Sequence, residues 1–277
     1  MNTNLKKFSL PDGTYIRYKV VGKGKPLMLF HTFRNRLEYS DEIAKLLMKK
    51  FTIFLIDLPG FGDSPINKKT QYDQDFFTKC IVELIKNLKI RNVTLAGESI
   101  GGVLSATVAV KLPQIIKKLF LFNPYDYDNY FGEGIGRGNL FARFIMFHIR
   151  LPVIGNLFSS LENKLILKNV MRGGFFDKKK FTNEYLNLLC SSLSKKNYVY
   201  HFRNVLSNYK SWSNAKNLYS MINSPVELIY GSEDWARDNE RKETQKLLGL
   251  KNFKIIKNCG HFSFLENPKM VSEIISK

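Results

Sequence analysis

Six short apolar runs constrain this chain more than any other feature of its 277 residues. They are Leu27–Phe30, Thr52–Ile56, Val93–Ala96, Leu119–Phe122, Val226–Tyr230 and Phe253–Ile256. Each is too short for a buried helix and lacks the alternation of a half-exposed strand, so they read as strands covered on both faces. Between them lie stretches with helical spacing: Glu38–Lys50 through Ile43, Leu46 and Leu47, then Asp73–Leu88, Ser99–Lys111, Asn239–Leu248 and a last helix from Pro268. Strands separated by helices need crossovers, and crossovers build a parallel sheet with helices on both faces. Ahead of them, Phe8–Leu10, the turn Pro11-Asp12-Gly13 and the alternating Thr14–Val21 read as an antiparallel hairpin. The expected fold class is α/β, a mostly parallel doubly wound sheet.

The alternation stops between Asn129 and Ile222. Leu140–Leu151, Leu157–Asn169, Asn183–Ser192 and Tyr200–Tyr209 have helical patterns and no clean strand separates them. A helical cap inserted into the sheet is the simplest organisation, with a core domain of residues 1–128 and 223–277 and a cap of 129–222. Gly132-Glu-Gly-Ile-Gly-Arg-Gly138 fails the spacing of a dinucleotide-binding loop and does not leave a strand directly, so it reads as a flexible hinge into the cap. Phe141, Phe144, Phe147, Phe158, Phe175 and Phe176 are expected mostly to form the cap's own core, with an acyl-pocket lining as the alternative.

Chemistry enters at Arg91-Asn-Val-Thr-Leu-Ala-Gly97-Glu98-Ser99-Ile100-Gly101-Gly102, where an apolar strand runs into GxSxG and then a small-residue helix. A serine at such a bend is pushed out above the sheet, and the glycines remove Cβ atoms that would clash. The helix N-terminus from Ile100 points free N–H groups at the same place. A serine needs a base within hydrogen-bond reach and an acid to orient that base. Asp234, in Gly231-Ser-Glu-Asp234, and His261, in Cys259-Gly-His261-Phe, both follow the ends of buried strands, on the sheet edge where the serine emerges. Glu233, Asp126 and Asp128 compete with Asp234 for the acid position.

These residues resemble the α/β-hydrolase superfamily, in its branch with a helical cap. The similarity is carried by Gly22-Lys-Gly24-Lys-Pro26, His31, Asp57-Leu-Pro-Gly-Phe-Gly-Asp-Ser64, Gly97-Glu-Ser-Ile-Gly101, Gly231 with Asp234, and Gly260-His261-Phe. The resemblance implies Ser99 as nucleophile, His261 as general base and acid, Asp234 as its orienting carboxylate, and an oxyanion hole from the backbone N–H groups of Ile100 and Phe33. It implies hydrolysis of an ester, or of a carbon–carbon bond, in a small to medium apolar substrate through an acyl-enzyme. The alternatives are a ligand-binding or sensing protein with little turnover, and a lipid hydrolase at a membrane surface. His31, Arg34, Glu98 and Tyr125 are the substrate-binding candidates. The family commonly has His-Gly where this chain has His31-Thr32, which places a Cβ in the oxyanion loop. Arg34 and Arg36 in that loop either clamp a substrate carboxylate or form salt bridges with Glu38 or Glu98, and salt bridges are the favoured reading.

Composition narrows the rest. Cys80, Cys190 and Cys259 are far apart, and the histidines, His31, His148, His201 and His261, form no HExxH or HxH pair. No disulfide framework, metal or other cofactor is therefore expected. No apolar run has signal-peptide or membrane-spanning length, so a cytoplasmic location is expected. The net charge is +19, and Asn129–Ile222 alone holds fourteen Lys and Arg against four Asp and Glu. Solvated surface explains most such excess. The expected partner is a small-molecule substrate and not nucleic acid, with weak association to an anionic membrane surface through Leu140–Leu151 as a further option. Oligomeric state is left open by the sequence.

Overall fold

In a computed structural model, which describes residues 5–277, eight strands form one sheet. They are β1 (Leu5–Ser9), β2 (Tyr15–Val21), β3 (Lys25–Phe30), β4 (Phe51–Ile56), β5 (Val93–Glu98), β6 (Ile116–Phe122), β7 (Val226–Gly231) and β8 (Lys254–Ile256). Their order is β1-β2-β4-β3-β5-β6-β7-β8. The β1–β2 and β2–β4 pairs are antiparallel and every other pair is parallel.

Five of the six apolar runs are largely buried; the exception is Phe253–Ile256, which forms the edge strand β8 and leaves Lys254 and Ile255 exposed, because among the described residues no further strand or helix covers that side. Leu27 and Leu29 face one core together with Leu55, Phe120 and Phe122, while Met28 and Phe30 face the other with Leu95, Leu119 and Leu121. Period-two alternation in β3 thus divides one apolar run between two hydrophobic layers. Helix α1 (Asp41–Leu47) covers the first layer, and α2 (Gln74–Leu88) and α3 (Ile100–Lys111) cover the second. Glu38–Lys50 is not a single helix, because Leu37–Ser40 forms a 3-10 turn before α1 and α1 ends at Leu47.

Between β6 and β7 the chain is helical: α4 (Glu133–Arg137), α5 (Leu140–Arg150), α6 (Ile154–Ser160), α7 (Lys164–Arg172), α8 (Asn183–Cys190), α9 (Tyr198–Ser207) and α10 (Tyr209–Asn214). After β7 come α11 (Asp238–Leu247), α12 (Ser263–Glu266) and α13 (Pro268–Ser276). Two expectations change here. The glycine-rich Gly132–Gly138 is a short buried helix rather than a flexible hinge, because its glycines allow close approach: a Cβ on Gly134 would stand 2.6 Å from the Tyr125 ring. The expected helix Leu157–Asn169 is broken into α6 and α7 at Asn163, whose side chain caps α7 by accepting from the N–H groups of Leu165 and Ile166.

Several polar contacts fasten these helices to the sheet domain. Lys195 Nζ donates to the carbonyl oxygens of Gly60, Gly62 and Ser64 at 2.9, 2.8 and 2.7 Å. Burial lowers this amine to a pKa of about 8. Arg137 pairs with Glu240 at 2.7 Å, and Arg34 with Glu162 at 3.0 Å.

Candidate active site

Ser99 sits at the bend between β5 and α3 with φ 59° and ψ −124°. Such a conformation costs an ordinary residue about 1–3 kcal/mol and persists only where its surroundings enforce it. Here the Ser99 N–H donates to Phe122 O at 3.0 Å, and Ser99 O accepts from Gly102 N at 2.9 Å. The flanking glycines are required by proximity. A Cβ on Gly97 would lie 2.0 Å from Gly101 O, and one on Gly101 would lie 2.6 Å from Phe30 O.

The three distant side chains meet. His261 Nε2 lies 2.9 Å from Ser99 Oγ, and its Nδ1 lies 2.5 Å from Asp234 Oδ1. A carboxylate at Nδ1 holds the proton there and leaves Nε2 as the acceptor facing the serine hydroxyl. The second oxygen, Asp234 Oδ2, accepts from Ala236 N–H at 3.0 Å. The competing acids are elsewhere. Glu233 is exposed. Asp126 accepts from Thr244 Oγ1 at 3.0 Å, and Asp128 accepts from Gly134 N–H and the Tyr125 hydroxyl, both at 2.8 Å. Burial pushes both Asp126 and Asp128 up to about 7.

One residue of this cluster is absent from the sequence reading. The Trp235 indole stacks on the His261 ring, with centroids 4.0 Å apart and planes at 15°. Its Nε1 donates to Gly173 O at 3.1 Å, which fixes the indole plane. The indole therefore covers one face of the imidazole and restricts the tilt of its ring. The signal available in the sequence was an aromatic residue directly after the acid.

A buried brace joins the elbow to the histidine loop. Glu98 Oε1 accepts from Ser263 N–H at 2.7 Å and from Asn123 Nδ2 at 3.1 Å, and Tyr39 and Ser263 hydroxyls also donate to Glu98. Asn123 Nδ2 donates as well to His261 O at 3.1 Å, and its Oδ1 accepts from Gly231 N–H at 2.7 Å. Glu98 was a substrate-binding candidate. It is fully buried behind the elbow and does not reach the cavity at Ser99, and burial raises its carboxyl to about 8.

His31 is likewise not in the cavity. Its Nδ1 donates to Thr32 O at 2.7 Å and its Nε2 accepts from Leu58 N–H at 3.1 Å, so both nitrogens brace loops. Burial lowers it to about 4, and it is neutral at ordinary pH. The threonine after it causes no strain, because the positive φ of this loop, 64°, falls on Arg34 instead. Phe33 and Ile100 both line the cavity beside Ser99, and among the described residues neither backbone N–H has another acceptor. Arg36 pairs with Glu38 at 2.6 Å and Asp63 at 2.9 Å. Arg34 pairs with neither Glu38 nor Glu98 but with Glu162 of the helical segment, and its guanidinium lies 4.2 Å over the Phe202 ring.

The cavity over Ser99 is almost entirely apolar. Ile135, Val170, Met171, Val205, Leu206 and Trp212 of the helical segment close it opposite Ser99, His261 and Trp235. Tyr125 presents its ring there, with its hydroxyl held by Asp128 and Ile135 N–H. None of the six phenylalanines Phe141 to Phe176 considered for an acyl pocket lines it. Phe175 is buried, and Phe141, Phe144, Phe147 and Phe176 are exposed. Among the described residues no cluster of three or more His, Cys, Asp or Glu side chains has the arrangement of a metal site.

Comparison with known proteins places this geometry in context. A family model described as alpha/beta hydrolase fold matches residues 25–268. Epoxide hydrolase 4 of Homo sapiens is 22% identical over 280 residues, covering 95% of this chain and 75% of the relative. A pimeloyl-[acyl-carrier protein] methyl ester esterase of Pseudoalteromonas atlantica is 32% identical over 108 residues, 39% of this chain and 40% of the relative. Among solved structures, the epoxide hydrolase CorEH superposes with a TM-score of 0.81 at 20% identity, covering 99% of this chain and 97% of that one.

Proposed function

Because the chain belongs to the alpha/beta hydrolase fold family, we propose that it is a serine hydrolase that cleaves an ester of a small to medium apolar acid. The observation that carries this reading is the hydrogen-bonded row Ser99 Oγ, His261 Nε2, His261 Nδ1, Asp234 Oδ1 opening into an apolar cavity. Ser99 Oγ attacks the ester carbonyl while His261 Nε2 takes its proton, and Asp234 stabilises the imidazolium. The carbonyl oxygen becomes an oxyanion that accepts from the N–H groups of Ile100 and Phe33. His261 returns the proton to the departing alkoxide, then deprotonates a water that attacks the acyl-serine and restores the hydroxyl.

Two of the named relatives are epoxide hydrolases, and Ser99 argues against that reaction here. A serine that opens an epoxide forms an alkyl ether, which water does not cleave at a useful rate, whereas an acyl-serine is an ester that the same histidine and water can hydrolyse. In related members the epoxide reaction uses an aspartate at the elbow. The test is a panel of p-nitrophenyl esters of graded acyl length against wild type and Ser99→Ala. Wild type turns over a subset of the panel and Ser99→Ala loses turnover with an unchanged thermal midpoint. Equal activity in Ser99→Ala overturns the proposal, and failure of a fluorophosphonate to label Ser99 favours a binding protein with this fold.

A further inference from the structure

Helix α5 is apolar on two sides. Ala142, Ile145, Met146 and Ile149 face inward, while Leu140, 79% exposed, is followed by exposed Phe141, Phe144 and Phe147. The surface continues through Val153, which is 91% exposed, then Ile154, Leu157, Leu161 and Leu165. Nine large apolar side chains are exposed within these twenty-six residues, against seven in all the other described residues. They form one face. The His148 ring on α5 lies 4.1 Å from Phe144 and 4.7 Å from Phe158 of α6, which joins the two helices. A helix that carries large apolar side chains outward as well as inward, with cations beside them, presents a surface suited to an interface rather than to water alone.

The exposed charge on this surface is of one sign. From Leu140 to Leu165 the basic residues are Arg143, Arg150 and Lys164, and Glu162 is the single acid. Glu162 is turned inward, 4% exposed, toward Arg34 and the Tyr198 hydroxyl. Arg143, Arg150 and Lys164 are exposed among the apolar side chains, with no exposed carboxylate between them. From this combination we infer that the α5–α6 face, continued to Leu165, docks on an anionic lipid bilayer. Phe144, Phe147, Val153 and Leu157 enter the acyl boundary and Arg143, Arg150 and Lys164 meet lipid phosphates.

A second copy of the chain is a poorer occupant, because an isologous contact sets the same cations against each other. Nucleic acid is also poorer, since the protruding side chains are aliphatic and phenyl groups where such interfaces are polar. Docking does not depend on turnover at Ser99. It does adjoin that site: α7 begins on this face at Lys164 and Leu165 and carries Val170 and Met171 into the wall of the Ser99 cavity.

The experiment is cosedimentation of the full chain with vesicles of phosphatidylcholine alone and of phosphatidylcholine mixed with phosphatidylglycerol, at low and high sodium chloride. Expected is binding to the mixed vesicles alone, weakened by salt. Each cation near the surface contributes roughly fivefold to partitioning, so Arg143→Gln/Arg150→Gln/Lys164→Gln weakens it about a hundredfold. Phe144→Ser/Leu157→Ser releases the protein as well. All five side chains are exposed, the thermal midpoint of each variant is measured because Phe144→Ser also removes the contact with His148, and the salt titration of wild type tests the proposal without any substitution. Wild type that stays in the supernatant with both vesicles overturns it, as does equal, salt-insensitive binding to both. A dimer by light scattering that Phe144→Ser/Leu157→Ser converts to monomer assigns the face to a second copy and overturns it too.

Discussion

Asp234→Asn isolates the tautomer of His261, and the geometry fixes how the asparagine must sit. Asp234 Oδ2 accepts from Ala236 N–H at 3.0 Å, so the amide oxygen of the asparagine takes that place. Its NH2 group then faces His261 Nδ1, where the carboxylate oxygen stood at 2.5 Å. Two donors cannot share that contact, so Nδ1 gives up its proton and accepts. The proton moves to Nε2, which now donates toward Ser99 Oγ across 2.9 Å and can no longer receive from it. The geometry is intact and the base is lost. A triad locked in the wrong tautomer loses about 10⁴-fold in kcat, or about 5 kcal/mol of transition-state stabilisation. KM changes little, because Asp234 does not itself line the cavity and the asparagine leaves the His261 ring in place. The assay is kcat and KM on the best p-nitrophenyl ester, with the thermal midpoint to show that the fold is retained. Activity within about tenfold of wild type, far short of the ~10⁴ loss, refutes the reasoning. So does an equal loss in Asp126→Asn or Asp128→Asn, which would move the acid to the end of β6.

Three further outcomes follow from named contacts. Glu162→Gln leaves the Arg34 guanidinium, 4% exposed, without its counter-charge, and urea unfolding should show a loss of about 3–5 kcal/mol. Arg34→Met with Glu162→Gln should recover most of that loss. Glu98 holds its proton in the folded protein up to a pKa of about 8, against an ordinary 4.5. Between those values folding takes up a proton, so this residue makes stability fall as pH rises. Glu98→Gln removes that dependence, and its thermal midpoint should fall less than that of wild type between about pH 6 and pH 8, a window between the ordinary value of 4.5 and the raised value of about 8. Leu206→Trp fills the cavity wall and should lower kcat/KM for long acyl esters by roughly tenfold or more while sparing the acetyl ester.

The sheet was legible because burial on both faces leaves a signature that needs no partner to be recognised. Val93–Ala96 and Leu119–Phe122 are apolar without alternation, and only a covered strand tolerates that. Ser99, Asp234 and His261 were legible for a related reason: each follows a strand of the parallel part of the sheet, and parallel strands end on one edge. The helical segment was less legible. A helical pattern runs through Leu157–Asn169, yet Asn163 caps a new helix, and periodicity alone does not register a break that preserves the apolar face. The exposure of Phe141, Phe144 and Phe147 is a tertiary fact, since an apolar residue on a helix gives the same spacing whether it meets a neighbour or not. Arg34 was read as pairing with a local acid, but the side chain over Phe202 is aimed at Glu162 in the helical segment, a partner that only folding supplies.

The brace behind Ser99 explains how a strained elbow and two loops from other strands keep hydrogen-bond distances to one another. Glu98 lies on β5, Asn123 follows β6, Gly231 ends β7, and Ser263 follows the histidine. Asn123 reaches three of these regions at once, donating to Glu98 and to His261 O and accepting from Gly231 N–H. Its own φ of 44° is a left-handed conformation that asparagine tolerates better than most residues. Glu98 then fixes the start of α12 through Ser263 N–H. A shift of any one of these strand ends would break a buried hydrogen bond with no solvent to replace it, at about 1–3 kcal/mol for each orphaned group. The positions of Ser99, His261 and Asp234 are therefore coupled through Glu98 and Asn123, which do not line the cavity.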